Sequence, residues 1–132
     1  RFYILDLLQK KLLLSTYVAH GRGSGDNYAV AFSNRPGSYQ SSLGFFRTGD
    51  TYMGKNGYSL FLDGLEKGIN DKARERAIVV HGANYADPAV LKGQQRLGRS
   101  LGCPALPPDI SKQVIDTIKG GVLLYIYGLN KA

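Results

Sequence analysis

The sequence predicts a single, mainly β domain, α+β in class, arranged as a sandwich or open barrel with one or two short helices. Two observations support this prediction. About eight short apolar runs, several of them β-branched, are separated by glycine, proline and asparagine turn signals. In addition, only two segments have a helical pattern. A chain of 132 residues fits one domain, so the predicted domain is 1–132.

The first two apolar runs, 2–7 and 12–19, are separated by a short polar segment, and this pattern predicts a β-hairpin. A second hairpin is predicted where Asn56-Gly57 joins the runs 51–54 and 58–62, because Asn-Gly is the strongest short hairpin signal. The other predicted strands are 43–48, 77–80 and 122–127.

Two segments predict helices. The first is 70–76, with Asn70 as its N-cap, and the second is 110–119, with Asp109 as its N-cap. Gly120-Gly121 ends the second helix. Its apolar residues fall on one face, so this helix is expected to pack against a sheet. These residues are Ile110, Val114, Ile115 and Ile118.

Composition restricts the function more weakly. The net charge of +7 is scattered along the chain, which fits a solvated basic surface or an anionic polymer partner. No nucleic-acid motif or basic helix is visible, and no apolar run reaches the roughly 20 residues of a membrane span. The chain starts at Arg1 and lacks a signal-peptide core, so we interpret it as excised or processed.

Cys103 is the single cysteine, and it stands in a Gly-Cys-Pro turn. His81 follows the apolar run 77–80, so a thiol and an imidazole come from two separate segments, as a cysteine nucleophile and its base require. A buried structural thiol and a strand-end histidine are the alternatives. His20, which is also followed by glycine, is the rival base.

The segments around these residues resemble a known family. IVVHG at 78–82 and GRSLGCP at 98–104 are similar to the catalytic signature of murein L,D-transpeptidases, in which His-Gly precedes Ser-x-Gly-Cys. The similarity extends through 18–21, 41–44 and 54–58. Leu101 departs from it, since many members have a second histidine there, and the His-to-Cys separation is somewhat long.

The resemblance implies a β-sandwich fold and a defined reaction. Cys103 would attack the L,D-peptide bond after the third residue of a peptidoglycan stem peptide, and the thioester would pass to an acceptor amine. His81 would be the base, with the Gly82 carbonyl orienting its ring. The resemblance also implies export to the periplasm or cell envelope and acylation by carbapenems. No cofactor or metal is expected, and a monomer is expected.

Further site residues follow from the Cys103 segment. Pro104 has no N–H, so the oxyanion donors are expected to be the backbone of Gly102 and Cys103. Arg96 and Arg99 are expected to favour the thiolate. The residues expected to contact substrate are Arg96, Arg99, Ser100, His20, Tyr52 and Tyr58.

Three alternatives remain at this stage. An L,D-carboxypeptidase would pass the same thioester to water. A non-catalytic β-domain that binds peptidoglycan or nucleic acid would tolerate loss of Cys103. A papain-like hydrolase is disfavoured, because that class places its cysteine before its histidine.

Overall fold

The computed structural model describes residues 1–129, so the last three residues of the predicted 1–132 domain lie outside the described part. The described residues form a mainly β fold with one α-helix. The elements are β1 (Phe2–Asp6), β2 (Lys11–Thr16), β3 (Gly44–Gly54), β4 (Gly57–Gly64), β5 (Val79–Gly82), β6 (Ala105–Leu106), α1 (Pro108–Ile118) and β7 (Leu123–Ile126). Short 3-10 turns lie at Arg22–Ser24, Asn84–Ala86 and Pro88–Lys92. The predicted fold class is confirmed.

The strands form two sheets. β1 and β2 pair as the predicted antiparallel hairpin. The larger sheet is a curled half-barrel with the strand order β6-β5-β4-β3-β7. Its pairs are antiparallel except β5 with β6, which run parallel. A parallel pair needs a long crossover, and here the connection between β5 and β6 contains the whole Cys103 segment.

The core lies between the larger sheet, α1 and the first hairpin. Alternate residues of β4 and β5 face it, so Leu60, Leu62 and Val80 are fully buried. The predicted apolar face of α1 is confirmed: Val114, Ile115 and Ile118 are buried, and Ile110 packs against the same cluster.

The β3–β4 hairpin differs in detail from its prediction. β3 is one long strand, whereas the sequence predicts two. A register shift between Thr48 and Thr51 accommodates the residues between them without ending the strand. The turn residues are Lys55 and Asn56, with Gly57 already paired to Gly54. Gly57 has φ +83°, a conformation in which glycine carries no Cβ penalty.

The predicted helix at 70–76 is wrong. Residues 66–77 form a bend followed by turns, and the side chain of Asn70 does not cap a helix. Its Oδ1 accepts the Glu66 N–H, and its Nδ2 donates to the carbonyls of Leu43 and Phe45. These bonds anchor the segment to β3, and they satisfy the amide in a fully buried position.

The second helix is confirmed, but its predicted cap is wrong. α1 begins at Pro108, which suits the first turn because proline lacks the N–H that would be unsatisfied there. Pro107 therefore takes the N-cap position. Asp109 lies inside the first turn, where its negative charge interacts favourably with the helix dipole. Gly120 and Gly121 follow with φ of +80° and +99°, as the predicted stop requires.

Candidate active site

Cys103 lies beside the start of β5. Its Sγ accepts the Val79 N–H at 3.4 Å, and its S–H donates to the Ala77 carbonyl at 3.5 Å. Ala77 has φ +57°, and this left-handed turn ends the 66–77 segment just before β5. The thiol is therefore held against the backbone of the strand that carries His81.

His81 lies two residues further along β5, on the same face as Val79 because strand side chains alternate. It pairs with Ala105 of β6, which is two residues beyond Cys103. The thiol and the imidazole therefore lie on adjacent segments, offset by two residues, or roughly 7 Å along the strand direction.

The imidazole of His81 is held in one orientation. Its Nδ1 lies 2.8 Å from the Gly82 carbonyl, which only accepts, so Nδ1 carries a hydrogen. This is the contact that the family resemblance implied. In a neutral ring, Nε2 then carries the lone pair, and within residues 1–129 it has no hydrogen-bond partner. The ring is thus arranged to accept a proton at Nε2.

Two side chains, Arg76 and Tyr85, interact electrostatically with the thiol. Burial raises the pKa of Cys103, while the Val79 N–H and the Arg76 charge lower it. Tyr85 follows β5, and burial together with the Cys103 charge raises its pKa to about 12. No sequence motif marks either residue, because both approach Cys103 only through the fold.

Arg96 and Arg99, which the sequence predicts to favour the Cys103 thiolate, lie beside Asp26 instead. Arg96 Nε is 2.6 Å from the Asp26 carboxylate and Arg99 Nη1 is 3.7 Å from it. Arg99 also donates to the Gly25 carbonyl. Their positive charges act on His20, whose pKa is lowered first by burial and, more weakly, by these two arginines. The pKa of Cys103 is instead influenced by the charge of Arg76.

Ser100 is buried, and its hydroxyl is used inside the Cys103 loop. It donates to the Cys103 carbonyl at 2.6 Å and accepts the Gly102 N–H at 3.1 Å. Ser100 therefore shapes the loop rather than facing a ligand. The Gly102 N–H, predicted as an oxyanion donor, is engaged by this bond, whereas the Cys103 N–H has no acceptor within residues 1–129.

The segment that carries His20 packs against the same loop. The His20 carbonyl accepts the Ser100 N–H, and Ala19 pairs with Ala105. The side chain of His20 is bonded through Nε2 to the Gly25 carbonyl at 3.2 Å. His20 is therefore near the nucleophile loop through its backbone, with its ring directed to the 22–26 segment.

The two predicted tyrosines differ in their surroundings. Tyr52 pairs with Ser59, which pairs with His81, so Tyr52 shares the sheet face of His81 at a distance of two strands. It stacks on Phe61. The hydroxyl of Tyr58 donates to Asp116 of α1 at 2.6 Å.

An open groove lies at the end of β5, between Gly82 and the start of α1, and neither His81 nor Cys103 lines it. Its volume is about 340 Å³. Strand, turn and helix residues line it: Lys55, Asn56, Tyr58, Gly82, Ala83, Asn84, Pro108 and Ser111. The groove is polar and cationic at one wall, which suits a peptide that carries carboxylates. Within residues 1–129, no cluster of three or more histidine, cysteine, aspartate or glutamate side chains is arranged to hold a metal ion.

Comparison with known proteins identifies the family of this chain. A family model described as the L,D-transpeptidase catalytic domain matches residues 1–127. The chain is also similar to a solved L,D-transpeptidase from Mycobacterium smegmatis, with a TM-score of 0.52 and 13% sequence identity. That match covers 89% of this chain and 50% of the other, so the chain spans half the length of that protein. A likeness at this identity concerns the fold. A search of curated proteins found no match. Because the family model matches nearly the whole sequence, the chain belongs to the L,D-transpeptidase catalytic domain family.

Proposed function

We propose that this protein is a peptidoglycan L,D-transpeptidase in which Cys103 is the nucleophile and His81 the base. The observation that carries the proposal is the pairing of the Cys103 segment with β5. This pairing holds the thiol at Val79 and leaves the lone pair of His81 Nε2 free. A thiol and an oriented imidazole are the side chains that acyl transfer through a thioester needs.

The reaction proceeds in two displacements. Sγ of Cys103 bonds to the carbonyl carbon of the third stem residue, and His81 takes the thiol proton. The C–N bond to the terminal D-Ala breaks, and the same proton passes to the leaving amine. An acceptor amine then attacks the thioester carbonyl and loses a proton to His81. The C–S bond breaks, and His81 passes this proton to the departing Cys103 sulfur.

The raised pKa of Cys103 determines when the thiol is deprotonated. Because burial raises that pKa, the resting thiol is neutral near pH 7, and deprotonation accompanies attack on the substrate. Tyr85, with a pKa of about 12, stays protonated near neutral pH and so keeps a hydroxyl hydrogen that it can donate. The Cys103 N–H is the backbone donor best placed for the oxyanion, and the Tyr85 phenol is a candidate for the second.

The fate of the thioester separates two activities. Membership of the L,D-transpeptidase family favours transfer, which needs an acceptor amine held close to the thioester. Leu101 favours the alternative, an L,D-carboxypeptidase, because it is 55% exposed beside the nucleophile and cannot hydrogen-bond an acceptor. We propose transfer when acceptor is abundant, with hydrolytic loss of D-Ala as the side reaction.

Family membership also implies where the protein works. We infer that peptidoglycan stem peptides are both donor and acceptor, and that the protein acts in the periplasm or cell envelope. Within residues 1–129, no helix is long and apolar enough to cross a membrane.

Mass spectrometry of tetrapeptide muropeptides incubated with the protein tests the proposal. We expect cross-linked dimers together with some tripeptide, and neither product with Cys103→Ala. Tripeptide without dimer at every acceptor concentration would make the protein a carboxypeptidase. Full activity of Cys103→Ala would refute the thioester mechanism.

A carbapenem supplies an independent test, because its strained amide carbonyl acylates a nucleophile without needing an acceptor. We expect the intact mass to rise by one drug molecule at Cys103, and we expect no adduct with Cys103→Ala. Arg35→Met is the control, since it changes an exposed residue and keeps both the thiol and its loop, and it should form the adduct like wild type. The absence of an adduct at millimolar drug would count against a site shaped for acyl transfer.

A further inference from the structure

Arg76 is a partly buried cation whose hydrogen-bond partners are all neutral. Its Nη1 donates to the Ser33 carbonyl at 2.9 Å and to Ser42 Oγ at 2.8 Å. Its Nη2 donates to the Gln40 carbonyl at 2.8 Å and to Ser38 Oγ at 3.2 Å. Four bonds to one segment fix 33–42 against the body of the protein. They engage four of the five N–H donors of the guanidinium, but they do not neutralise its charge.

Within residues 1–129, no carboxylate lies within ion-pair distance of Arg76. The other arginines near the site differ in this respect, because Arg96 and Arg99 share Asp26. A buried charge without a counter-charge is costly to keep, and burial accordingly lowers the pKa of Arg76. The group that acts in the opposite direction is Cys103, whose thiolate is the one anion identified as stabilising the guanidinium.

The geometry supports a direct influence. A Cβ built on Gly102 would lie 3.4 Å from Arg76 Nη2 and 3.1 Å from the Gln40 carbonyl, so the guanidinium packs against the residue before the nucleophile. Gly102 has φ +126°, which an L side chain rarely adopts. The Cys103 loop therefore approaches Arg76 through the backbone of Gly102, which has no side chain to separate the two.

We propose that Arg76 is a positioning residue for Cys103: its charge stabilises the thiolate formed during attack, and its hydrogen bonds hold 33–42 behind the nucleophile loop. The proposal rests on Cys103 being the nucleophile. It gives Arg76 an electrostatic function in addition to its structural one. A cation that was only structural would be replaceable by any hydrogen-bonding residue, whereas a thiolate-stabilising cation is replaceable only by another cation.

The rate of alkylation by iodoacetamide, measured against pH, separates the two roles. Arg76→Gln keeps hydrogen-bond donors and loses the charge, while Arg76→Lys keeps the charge and loses the bidentate donors. Arg35→Met is the matched control, because it removes an exposed cation from the same segment. Intact mass gives the alkylated fraction, and thermal unfolding of each variant reports the structural contribution.

We expect Arg76→Gln to move the midpoint of the alkylation profile upward by about one pH unit or more. The rate at pH 7.5 should fall about threefold for each unit, because the less acidic thiolate is also a better nucleophile. Arg76→Lys and Arg35→Met should keep the wild-type midpoint, although Arg76→Lys lowers the melting temperature.

Other ionisable groups do not account for such a shift. Those carried by the elements packed around the Cys103 loop include Tyr39, Tyr85, His81, His20, Arg22, Arg96 and Arg99. Tyr85 has its pKa at about 12 and His20 has its pKa lowered below 6.5, so both keep one charge state between about pH 7.5 and 10. All of these groups are the same in wild type and variants, so the comparison isolates Arg76.

Two results would overturn the proposal. The first is a midpoint unchanged in Arg76→Gln, and the second is an equal rise in Arg76→Gln and Arg76→Lys, which would assign the effect to displacement of 33–42. Failure of the parent mechanism would look different, since a wild-type thiol that labels only after unfolding, or a fully active Cys103→Ala, would remove the nucleophile itself.

Discussion

The dipeptide His-Gly occurs twice in this protein, and its two copies have different surroundings. His81-Gly82 lies in β5, and the glycine carbonyl binds the histidine's own Nδ1. His20-Gly21 lies in an irregular segment, and there the ring uses Nε2 to bind the Gly25 carbonyl. The two histidines therefore use different ring nitrogens to bind the backbone, Nδ1 in His81 and Nε2 in His20.

The difference shows that the same two residues acquire their chemistry from the local backbone. His81 lies on β5, the strand whose backbone holds the Cys103 thiol, and its Nε2 has no hydrogen-bond partner within residues 1–129. At His20, burial and the neighbouring Arg96 and Arg99 disfavour protonation of the ring. His81 is thus arranged as a base, while His20-Gly21 supports the nucleophile loop through its backbone.

The largest expected effect comes from removing the base. His81→Ala should reduce turnover of muropeptides by about 10²- to 10⁴-fold, the usual contribution of a general base, while His20→Ala should keep part of its activity. Circular dichroism of both variants serves as the folding control. The opposite ranking in two folded proteins would transfer the role of base to His20.

The two glycines provide a second, smaller contrast, in stability. A Cβ on Gly21 would collide with the Tyr39 carbonyl and lie 2.8 Å from Gly102 Cα, both of which are backbone atoms. A Cβ on Gly82 would meet mainly the Ser111 hydroxyl, at 2.5 Å, and a side chain can move. We expect Gly21→Ala to lower the free energy of unfolding by about 1–3 kcal/mol, and Gly82→Ala by less.

Thermal or denaturant unfolding measures this contrast. Gly93→Ala is the control, because a Cβ there meets nothing within 4 Å. Adding Ser111→Ala should restore part of the stability of Gly82→Ala and none of that of Gly21→Ala. Equal losses at Gly21 and Gly82 would contradict the distinction between a backbone and a side-chain obstacle.

The smallest expected effect is a pH dependence of stability. The pKa of His20 is lowered from 6.5, so the unfolded chain binds a proton there more readily than the folded protein. The contribution of neutral His20 is complete above about pH 6.5 and is lost as the pH falls from 6.5 through the folded pKa. We expect the melting temperature to fall between pH 7 and pH 5, and to fall less in His20→Gln.

The carboxylates provide the internal check on this prediction. Asp63, Asp71 and Asp116 have their pKa values lowered from 3.8, so their contributions are lost only as the pH falls below about 4. An equal loss of stability in wild type and His20→Gln between pH 7 and pH 5 would show that His20 is not the group responsible.

Features encoded by short stretches of sequence could be predicted. The first hairpin, the β3–β4 hairpin and α1 follow from alternation, a turn signal and a 3.6-residue period. The contact between His81 and Gly82 joins neighbours in sequence, so the family resemblance alone could imply it. In contrast, 70–76 has helical composition, and only the buried bonds of Asn70 to β3 explain why it forms turns.

The electrostatics of the thiol could not be predicted, because proximity in sequence was misleading. Arg96 and Arg99 precede Cys103 by a few residues, yet the unpredicted contact with Asp26 engages them. Arg76 is far from Cys103 in sequence and comes close through the pairing of β5 with the Cys103 segment. Side chains that approach each other across a long crossover leave no local pattern.

The two-residue strand β6 has a consequence for self-association. It is the outermost strand of the larger sheet on that side, and Ala19 covers it through a single antiparallel bridge to Ala105. Sheet edges left open are templates for pairing with other chains. The segment that contains His20 therefore closes a sheet edge, and a change that detaches it would expose that edge to a second molecule and favour aggregation while it disturbs the Cys103 loop.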